Sequence, residues 1–266
     1  MAPFDTITCI TDLGNKDESV GLLHSILRDL APSAMVIDLC HDIDPGDVRS
    51  GALMLARSVP YLSQGLVLAC VGSPSDRPAI AVSVGQGQSV LVGPDNGLLG
   101  AAVAVVGGAD QAVQLTNKEL HSESPGVEHP ARDVLAPAAG YLAAGRPMSD
   151  LGQEIDPGLL LPSLIPVPRI EDDGTVAAEV IRRTRQGAVQ LNVDRETISG
   201  LGEVLLLGFG DEQRVVRVQH PNDVSPGQLA LVDDEYGLLA ISTGLNEAPI
   251  PAELQVGSEV TLKEAT

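Results

Sequence analysis

Three times before residue 100, an apolar run of strand character ends in a short acidic loop. These are Thr11-Asp12-Leu13-Gly14 after ITCI, His41-Asp42-Ile43-Asp44-Pro45-Gly46-Asp47 after MVIDLC, and Pro94-Asp95-Asn96-Gly97-Leu98-Leu99 after VLVG. Segments of helical period separate the first strand candidates. Val20, Leu23, Ile26, Leu27 and Leu30 share one helical face until Ala31-Pro32 ends it, and Val48, Leu53, Leu55, Ala56 and Val59 supply the apolar surface of a second helix that stops at Pro60. A chain that alternates strand and helix in this way is confined to a layered α/β domain. Open α/β sheets bind ligands at the carboxyl ends of their strands, so the repeated polar loops predict one shared small-molecule site.

Strands are predicted over 6–11, 35–40, 66–71, 79–84 and 88–92, with further helices near 97–106 and 132–144. The first helix is expected to open on a capping box made by Asn15 and Glu18, the second on Asp47. Gly85-Gln86-Gly87-Gln88 reads as a hairpin turn. Past Gly145 the texture changes: Pro157, Pro162, Pro166 and Pro168 mark 156–168 as a linker between an α/β domain (1–155) and a second domain (169–266). Strand candidates at 176–183, 188–193, 203–208, 213–219, 228–232 and 238–242, with turns between them, predict a small all-β barrel or sandwich.

Charge narrows the partners. The chain carries 36 acidic against 16 basic residues, a formal net charge of -20. Both parts share the excess, with 19 acidic and 8 basic groups in residues 1–160 and 17 and 8 in 161–266. Neither part offers the basic surface that nucleic acid or anionic lipid requires, so neither partner is expected. Cys9, Cys40 and Cys70 all fall in apolar strand candidates and read as buried thiols of a reducing compartment. The start MAPFDTITCITD has no basic region before a long apolar run, and a cytoplasmic location without membrane contact is expected.

The common phosphate cradles, G-x-G-x-x-G after the first strand and G-x-x-x-x-G-K-[ST], are missing, as is the G-x-S-x-G of serine hydrolases. Asp12 can accept both hydroxyls of a ribose or simply cap a turn, and spacing weighs the two evenly. His41, Asp42, Asp44 and Asp47 are suitable metal ligands, but a turn leading to a helix N-cap at Asp47 is the preferred reading, because the sequence shows no second His or Cys cluster. Asp95 and Asn96 sit in a strong turn sequence and, taken alone, read as structural. In Glu128-His129-Pro130-Ala131-Arg132-Asp133, imidazole, guanidinium and carboxylate could orient a nucleophile. The plainer expectation is that Asp133 serves the helix dipole while Arg132 pairs on the surface.

Taken in order, these segments resemble the S-adenosyl-L-methionine hydroxide adenosyltransferases and the related fluorinases and chlorinases. The resemblance rests on Thr11-Asp12-Leu13-Gly14 with Asp17, on Ile37-Asp38, and on His41-Asp42-Ile43 through Pro45, Asp47-Val48 and Gly51-Ala52. It continues through Gly93 to Leu99, Arg132-Asp133 and Ala136-Pro137, with Gly237 and Leu239 near the C-terminus. It implies an α/β N-terminal domain, a smaller β C-terminal domain, and a homotrimer with active sites between subunits. It also implies water or hydroxide attack at the ribose C5′ of S-adenosylmethionine, releasing adenosine and L-methionine with no metal and no cofactor beyond the substrate. Asp12 would hold the ribose hydroxyls, Gly46 and Asp47 would lie near the sugar, and Asp95 and Asn96 would complete the substrate-binding set.

Arg77 matches the arginine of the family's Asp, Arg and His triad. The family's Val-Asp-Pro-Gly-Val-Gly before it is replaced by Val71-Gly72-Ser73-Pro74-Ser75-Asp76, and its His-Gly-Arg-Asp becomes Pro130-Ala131-Arg132-Asp133, with His129 one place upstream. Asp76, Arg77 and His129 are thus the catalytic candidates, as a displaced triad. A further segment, Asp-His-Phe-Gly-Asn in relatives, reads Thr184-Arg185-Gln186-Gly187-Ala188. The alternative expectation is a nucleoside-binding or scaffold protein of the same fold that has lost catalysis.

Overall fold

The computed structural model describes residues 4–72, 77–184, 187–244 and 249–265. The chain divides into two compact units, Met1–Leu164 and Ile165–Thr266, the division falling inside the Pro-marked stretch 156–168.

The first unit runs β1 (Thr6–Thr11), α1 (Ser19–Leu30), β2 (Met35–Cys40), α2 (Val48–Ser58), β3 (Leu66–Cys70), β4 (Ala79–Val84), β5 (Ser89–Pro94), α3 (Gly100–Val105), β6 (Ala109–Gln114), α4 (Ala136–Ala143) and β7 (Gln153–Ile155). Its strands form one mixed sheet in the order β2-β1-β3-β5-β4-β6-β7. β1 pairs in parallel with β2 and β3, and β3 in parallel with β5, while β4 runs antiparallel to β5 and β6. Strand side chains alternate between faces, and here both faces are covered, so the central strand β3, Leu66–Cys70, is apolar throughout. Leu66, Leu68 and Cys70 of β3 pack with Leu23 and Leu27 of α1 and Leu135 and Leu142 around α4. Val67, Ala69 and the following Val71 pack on the other face with Leu55 of α2 and Ala102 of α3. The result is the three-layer sandwich that the alternation predicts.

The predicted first five strands are present, and the Gly85–Gln88 stretch connects β4 to β5 with Gln86 at φ 60°. Strand β6 has no expected counterpart: Ala109-Asp110-Gln111 carries polar groups in place of the Val-rich pattern of the other strands. Asp47 caps α2 as expected, its carboxylate accepting the Ser50 N–H at 3.0 Å. The capping box at α1 is not formed. The helix begins at Ser19, whose N–H is taken by Asp17 Oδ1 at 2.9 Å, and Asn15 instead donates to Asp42 Oδ2 at 2.8 Å. A local signal at Asn15 lost to a contact between two loops.

The helix expected near 132–144 opens as one wide π turn, Ala131–Leu135, that runs into α4. Pro137 explains the widening, since it has no N–H to give the carbonyl of Asp133 four residues back. That carbonyl accepts the Ser122 N–H instead, at 2.8 Å.

The second unit holds β8 (Arg169–Ile170), β9 (Val176–Arg183), β10 (Val189–Asp194), β11 (Val204–Phe209), β12 (Glu212–Arg217), β13 (Ala230–Asp233), β14 (Leu238–Ser242) and β15 (Glu259–Glu264). Its path is β12-β11-β15-β9-β10-β14-β13, with β8 beside β9. A parallel bridge from Val218 to Leu231, just past β12 and within β13, joins the two ends of the path, so the sheet curls into a barrel. Inward residues Val180, Leu191, Leu205, Leu207, Leu231, Leu239, Ile241 and Leu262 fill its interior.

Candidate active site

In the strand order 2-1-3, the crossovers leave β1 in opposite directions, and the carboxyl ends of β1 and β3 bound a crevice. Asp12 follows β1 directly at this crevice. Its backbone N–H extends the ladder to Cys70 of β3 at 3.2 Å. Its Oδ2 accepts the Gly46 N–H from the loop after β2 at 2.8 Å and the Gly72 N–H from the loop after β3 at 2.9 Å. Gly14 N–H adds a bond to the His41 carbonyl at 2.7 Å. One carboxylate oxygen therefore fastens three loops that are far apart in sequence.

Both donors to Asp12 are glycines for a backbone reason. Gly46 has φ +80° and Gly72 φ +83°, in the left-handed region that side chains disfavour. A Cβ on Gly72 would also lie 2.9 Å from Val48 Cγ2. With Oδ2 committed, Oδ1 of Asp12 accepts no hydrogen bond among the described residues, so it is the oxygen available to a hydroxyl.

Asn96 belongs to the same corner. Its Nδ2 donates to the Val71 carbonyl at 2.9 Å and its Oδ1 accepts the Leu98 N–H at 3.1 Å, fixing the chain just before Gly72. Asp47, half-buried at the head of α2, adjoins Gly46. Asp95 turns elsewhere: its Oδ1 accepts the Leu161 N–H at 2.9 Å, beside a cavity of about 370 Å³ walled by Ile80, Leu99, Val103 and Pro162. The one carboxylate of that cavity is already bonded to the backbone, and the cavity lies along α3, away from the β1/β3 crevice, so the Asp12 corner is the better candidate for chemistry.

Arg77 is exposed just before β4, and Asp76 lies outside the described residues, as do Arg185 and Gln186 of the segment that departs from the family pattern. His129 is exposed. It lines a small cavity of about 70 Å³ with Leu13, Glu18, Ser19 and Arg132, which sets it beside the Asp12 loop.

Arg132 and Asp133 correct the simple expectation of a surface pair. Asp133 is buried, 1% exposed, and accepts from Arg132 Nε at 2.6 Å and Nη2 at 2.8 Å. Its Oδ2 also accepts the His129 N–H at 2.7 Å, while the Asp133 N–H returns to the His129 carbonyl at 2.7 Å. The Arg132 guanidinium, outweighing the effect of burial, and the His129 N–H together hold the Asp133 carboxyl below the usual carboxylate range. The pair thus locks the turn that carries His129.

A second cluster stands behind Asp12. His41, 4% exposed, faces Thr11 Oγ1 through Nδ1 at 2.7 Å and Asp38 Oδ1 through Nε2 at 2.9 Å, and His24 Nε2 reaches the same Asp38 oxygen at 2.8 Å. Partial burial raises the Asp38 carboxyl, but hydrogen bonds from His41 and His24 outweigh it and leave it below the ordinary value. Asp42, Asp44 and Asp47 take no part in this cluster. His24, on α1, had no sequence neighbour to mark it. The signal was its place on the helix flank next to edge strand β2, legible only once the two were paired in space.

Comparison with known proteins places these features in a family. Residues 7–152 match the SAM hydroxide adenosyltransferase N-terminal domain. The chain is 40% identical over 244 residues to an (R)-S-adenosyl-L-methionine hydrolase of Salinispora tropica, covering 91% of each, and 31% identical over 202 residues to one of Thermus thermophilus, covering 73% of this chain and 77% of the relative. A fluorinase of Actinopolyspora mzabensis is 21% identical over 85% of this chain and 81% of its own. Among solved structures, an uncharacterized conserved protein from Thermotoga maritima superimposes with a TM-score of 0.83 at 25% identity, covering 97% of this chain and 99% of that one. The match over more than half of the chain, and the 40% identity over nine-tenths of it, establish that the chain belongs to the SAM hydroxide adenosyltransferase family.

Proposed function

We propose that this protein hydrolyses S-adenosyl-L-methionine to adenosine and L-methionine, acting on the R sulfonium epimer that the names of its relatives specify. Water or hydroxide attacks the ribose C5′ from the side opposite sulfur. The C5′–S bond breaks with its electron pair going to sulfur, the thioether of methionine leaves neutral, and one proton is released to solvent. The sulfonium is a good leaving group, so the protein's task is to position the sugar and desolvate the nucleophile. The Asp12 corner carries this reading: a carboxylate at the β1/β3 crevice, oriented through one oxygen by two glycine N–H groups, with the other oxygen left for a ribose hydroxyl.

In this scheme Gly46 and Asp47 wall the sugar, and Asn96 holds the loop before Gly72. Asp76, Arg77 and His129 form the catalytic set, the guanidinium steadying hydroxide and the imidazole taking the water proton. The assembly is a homotrimer with sites between subunits; the apolar Met35 and Ile37, exposed on edge strand β2, support further association. The three free cysteines support a cytoplasmic setting, and among the described residues no helix is long and apolar enough to cross a membrane.

Incubation with each sulfonium epimer, followed by chromatography, tests the reaction: adenosine and methionine should appear in equal amounts from the R epimer. No turnover of either epimer across a range of pH rejects it. Arg77→Ala and His129→Ala should each slow the rate, and unchanged rates in both reject the displaced triad. A second reading, a nucleoside binder without turnover, is favoured by Pro130 at the family's histidine position and by the closure of Arg132 onto Asp133. Calorimetry showing tight adenosine binding with no product would select it. Halide-dependent product identity would point instead to transfer chemistry of the fluorinase kind.

A further inference from the structure

We propose that His24, Asp38 and His41 form a binding site for a divalent transition ion of the zinc class. Nε2 of His24, Nε2 of His41 and a carboxylate oxygen of Asp38 all lie within 4.8 Å of one another. A tetrahedral ion with bonds near 2.0–2.1 Å spaces its ligands by about 3.3 Å, so small side-chain rotations convert the present hydrogen-bonded triangle into a coordinating one. Two imidazoles and one carboxylate suit zinc, cobalt and nickel, and are a poor match for magnesium or calcium, which prefer oxygen cages.

The ligands come from three places: His24 from α1, Asp38 from β2, and His41 from the loop after it. His41 is the buried anchor, while His24 and Asp38 have side chains 39% and 42% exposed, leaving an open fourth position for water. The far side of His41 is also prepared. Thr11 Oγ1 stands 2.7 Å from its Nδ1, and the hydroxyl can accept the Nδ1–H when Nε2 turns its lone pair to a metal. Cys9, whose thiol is pushed up to about 12 by burial first and by the Asp38 charge second, is not among the grouped ligand atoms.

The ion would clamp α1 to edge strand β2 and, through Thr11, stiffen the chain that leads into Asp12. This site is independent of the hydrolysis proposed above and stands whether or not that activity is found.

The test uses the full-length protein after dialysis against a chelator. Zn²⁺ titrated by calorimetry should bind at one ion per chain, Co²⁺ should develop the visible absorption of a tetrahedral site, and Mg²⁺ should do neither. His24→Ala, a half-buried change outside the reacting corner, should weaken Zn²⁺ binding by about 100-fold or more and abolish the tetrahedral Co²⁺ spectrum. Asp38→Asn should do the same, with circular dichroism showing both variants folded. Zn²⁺ binding as tight in the folded variants as in the wild type overturns the proposal, as does a wild-type stoichiometry far below one.

Discussion

Asp12 and Asp133 are both carboxylates that accept backbone N–H groups in the same α/β unit, and they look alike in the sequence, each standing in a polar stretch next to a predicted element. Their partners separate them. Asp12 bonds groups 34 and 60 residues away and keeps one oxygen without a bond among the described residues. Asp133 bonds its immediate neighbour Arg132 and the N–H of His129 four residues back, and is buried in doing so. A carboxylate that gathers the ends of distant strands while holding an oxygen in reserve is built for a ligand. One whose charge is closed off by local partners holds a turn in shape.

Replacing Asp12 should show the larger consequence, and in function. Asp12→Asn keeps a carbonyl oxygen able to accept both glycine N–H groups, so the melting temperature should change little. Adenosine release should nonetheless fall by about 10²-fold or more in kcat/KM, since the charge that grips the diol is gone. Asp12→Ala should add a stability loss of about 1–3 kcal/mol by stranding the two N–H groups. If Asp12→Asn keeps full activity, the contrast between the two carboxylates fails.

Asp133 should respond in stability. Asp133→Ala leaves the His129 N–H without an acceptor and should cost about 1–3 kcal/mol, read from denaturant unfolding. The acid limb gives a sharper signature. The Asp133 carboxyl is depressed in the folded protein, chiefly by Arg132, so its stabilisation is full above the unfolded value of about 3.9 and is lost as pH falls through the lowered folded value. In Asp133→Asn this acid-dependent loss should disappear. In Arg132→Ala the acid-unfolding midpoint should move to higher pH, because the carboxyl loses its largest source of depression. A midpoint unmoved in both variants would mean that the pair does not hold the turn.

Gly72 tests the Asp12 side of the comparison through the backbone alone. Gly72→Ala demands a side chain at φ +83° with its Cβ 2.9 Å from Val48 Cγ2, and should lower stability by about 1–2 kcal/mol. The same shift would draw the Gly72 N–H away from Asp12, so activity should drop further than the change in melting temperature explains. Gly174→Ala, also at positive φ but with open space around it in the β unit, is the control: strain without a loss of activity.

What was legible in the sequence follows the range of the interactions. Period-2 and period-3.6 patterns are local, and they located β1, β2, β4, β14 and the central helices, because burial on both sheet faces writes itself into consecutive residues such as Leu66 to Val71. Spacing left Asp12 evenly balanced between a ribose carboxylate and a turn cap, since nothing local distinguishes the two, and Arg77 became a candidate only through resemblance. β6, with Asp110 and Gln111 in its first half, escaped notice because its register comes from pairing with β4 and β7 and owes little to its own composition. The His24, Asp38 and His41 cluster was invisible for the same reason. Its members are 14 and 3 residues apart on different elements, and only the packing of α1 beside β2 brings them together.

Asn15 marks where the comparison should run out. Like Asp12, it ties two loops across the sequence, donating to Asp42 Oδ2 at 2.8 Å over 27 residues, but both side chains stand in solvent. Water can replace either partner there, whereas the Asp12 to Gly72 bond is partly buried. Asn15→Ala should therefore change stability by no more than about 0.5 kcal/mol, by denaturant unfolding, and leave adenosine release within about twofold of wild type. A larger loss would show that joining distant loops suffices to build the corner, with burial secondary. A value inside that limit, beside a costly Asp12→Ala, would assign the difference to burial, because each change removes a side chain that joins distant loops at a similar donor–acceptor distance.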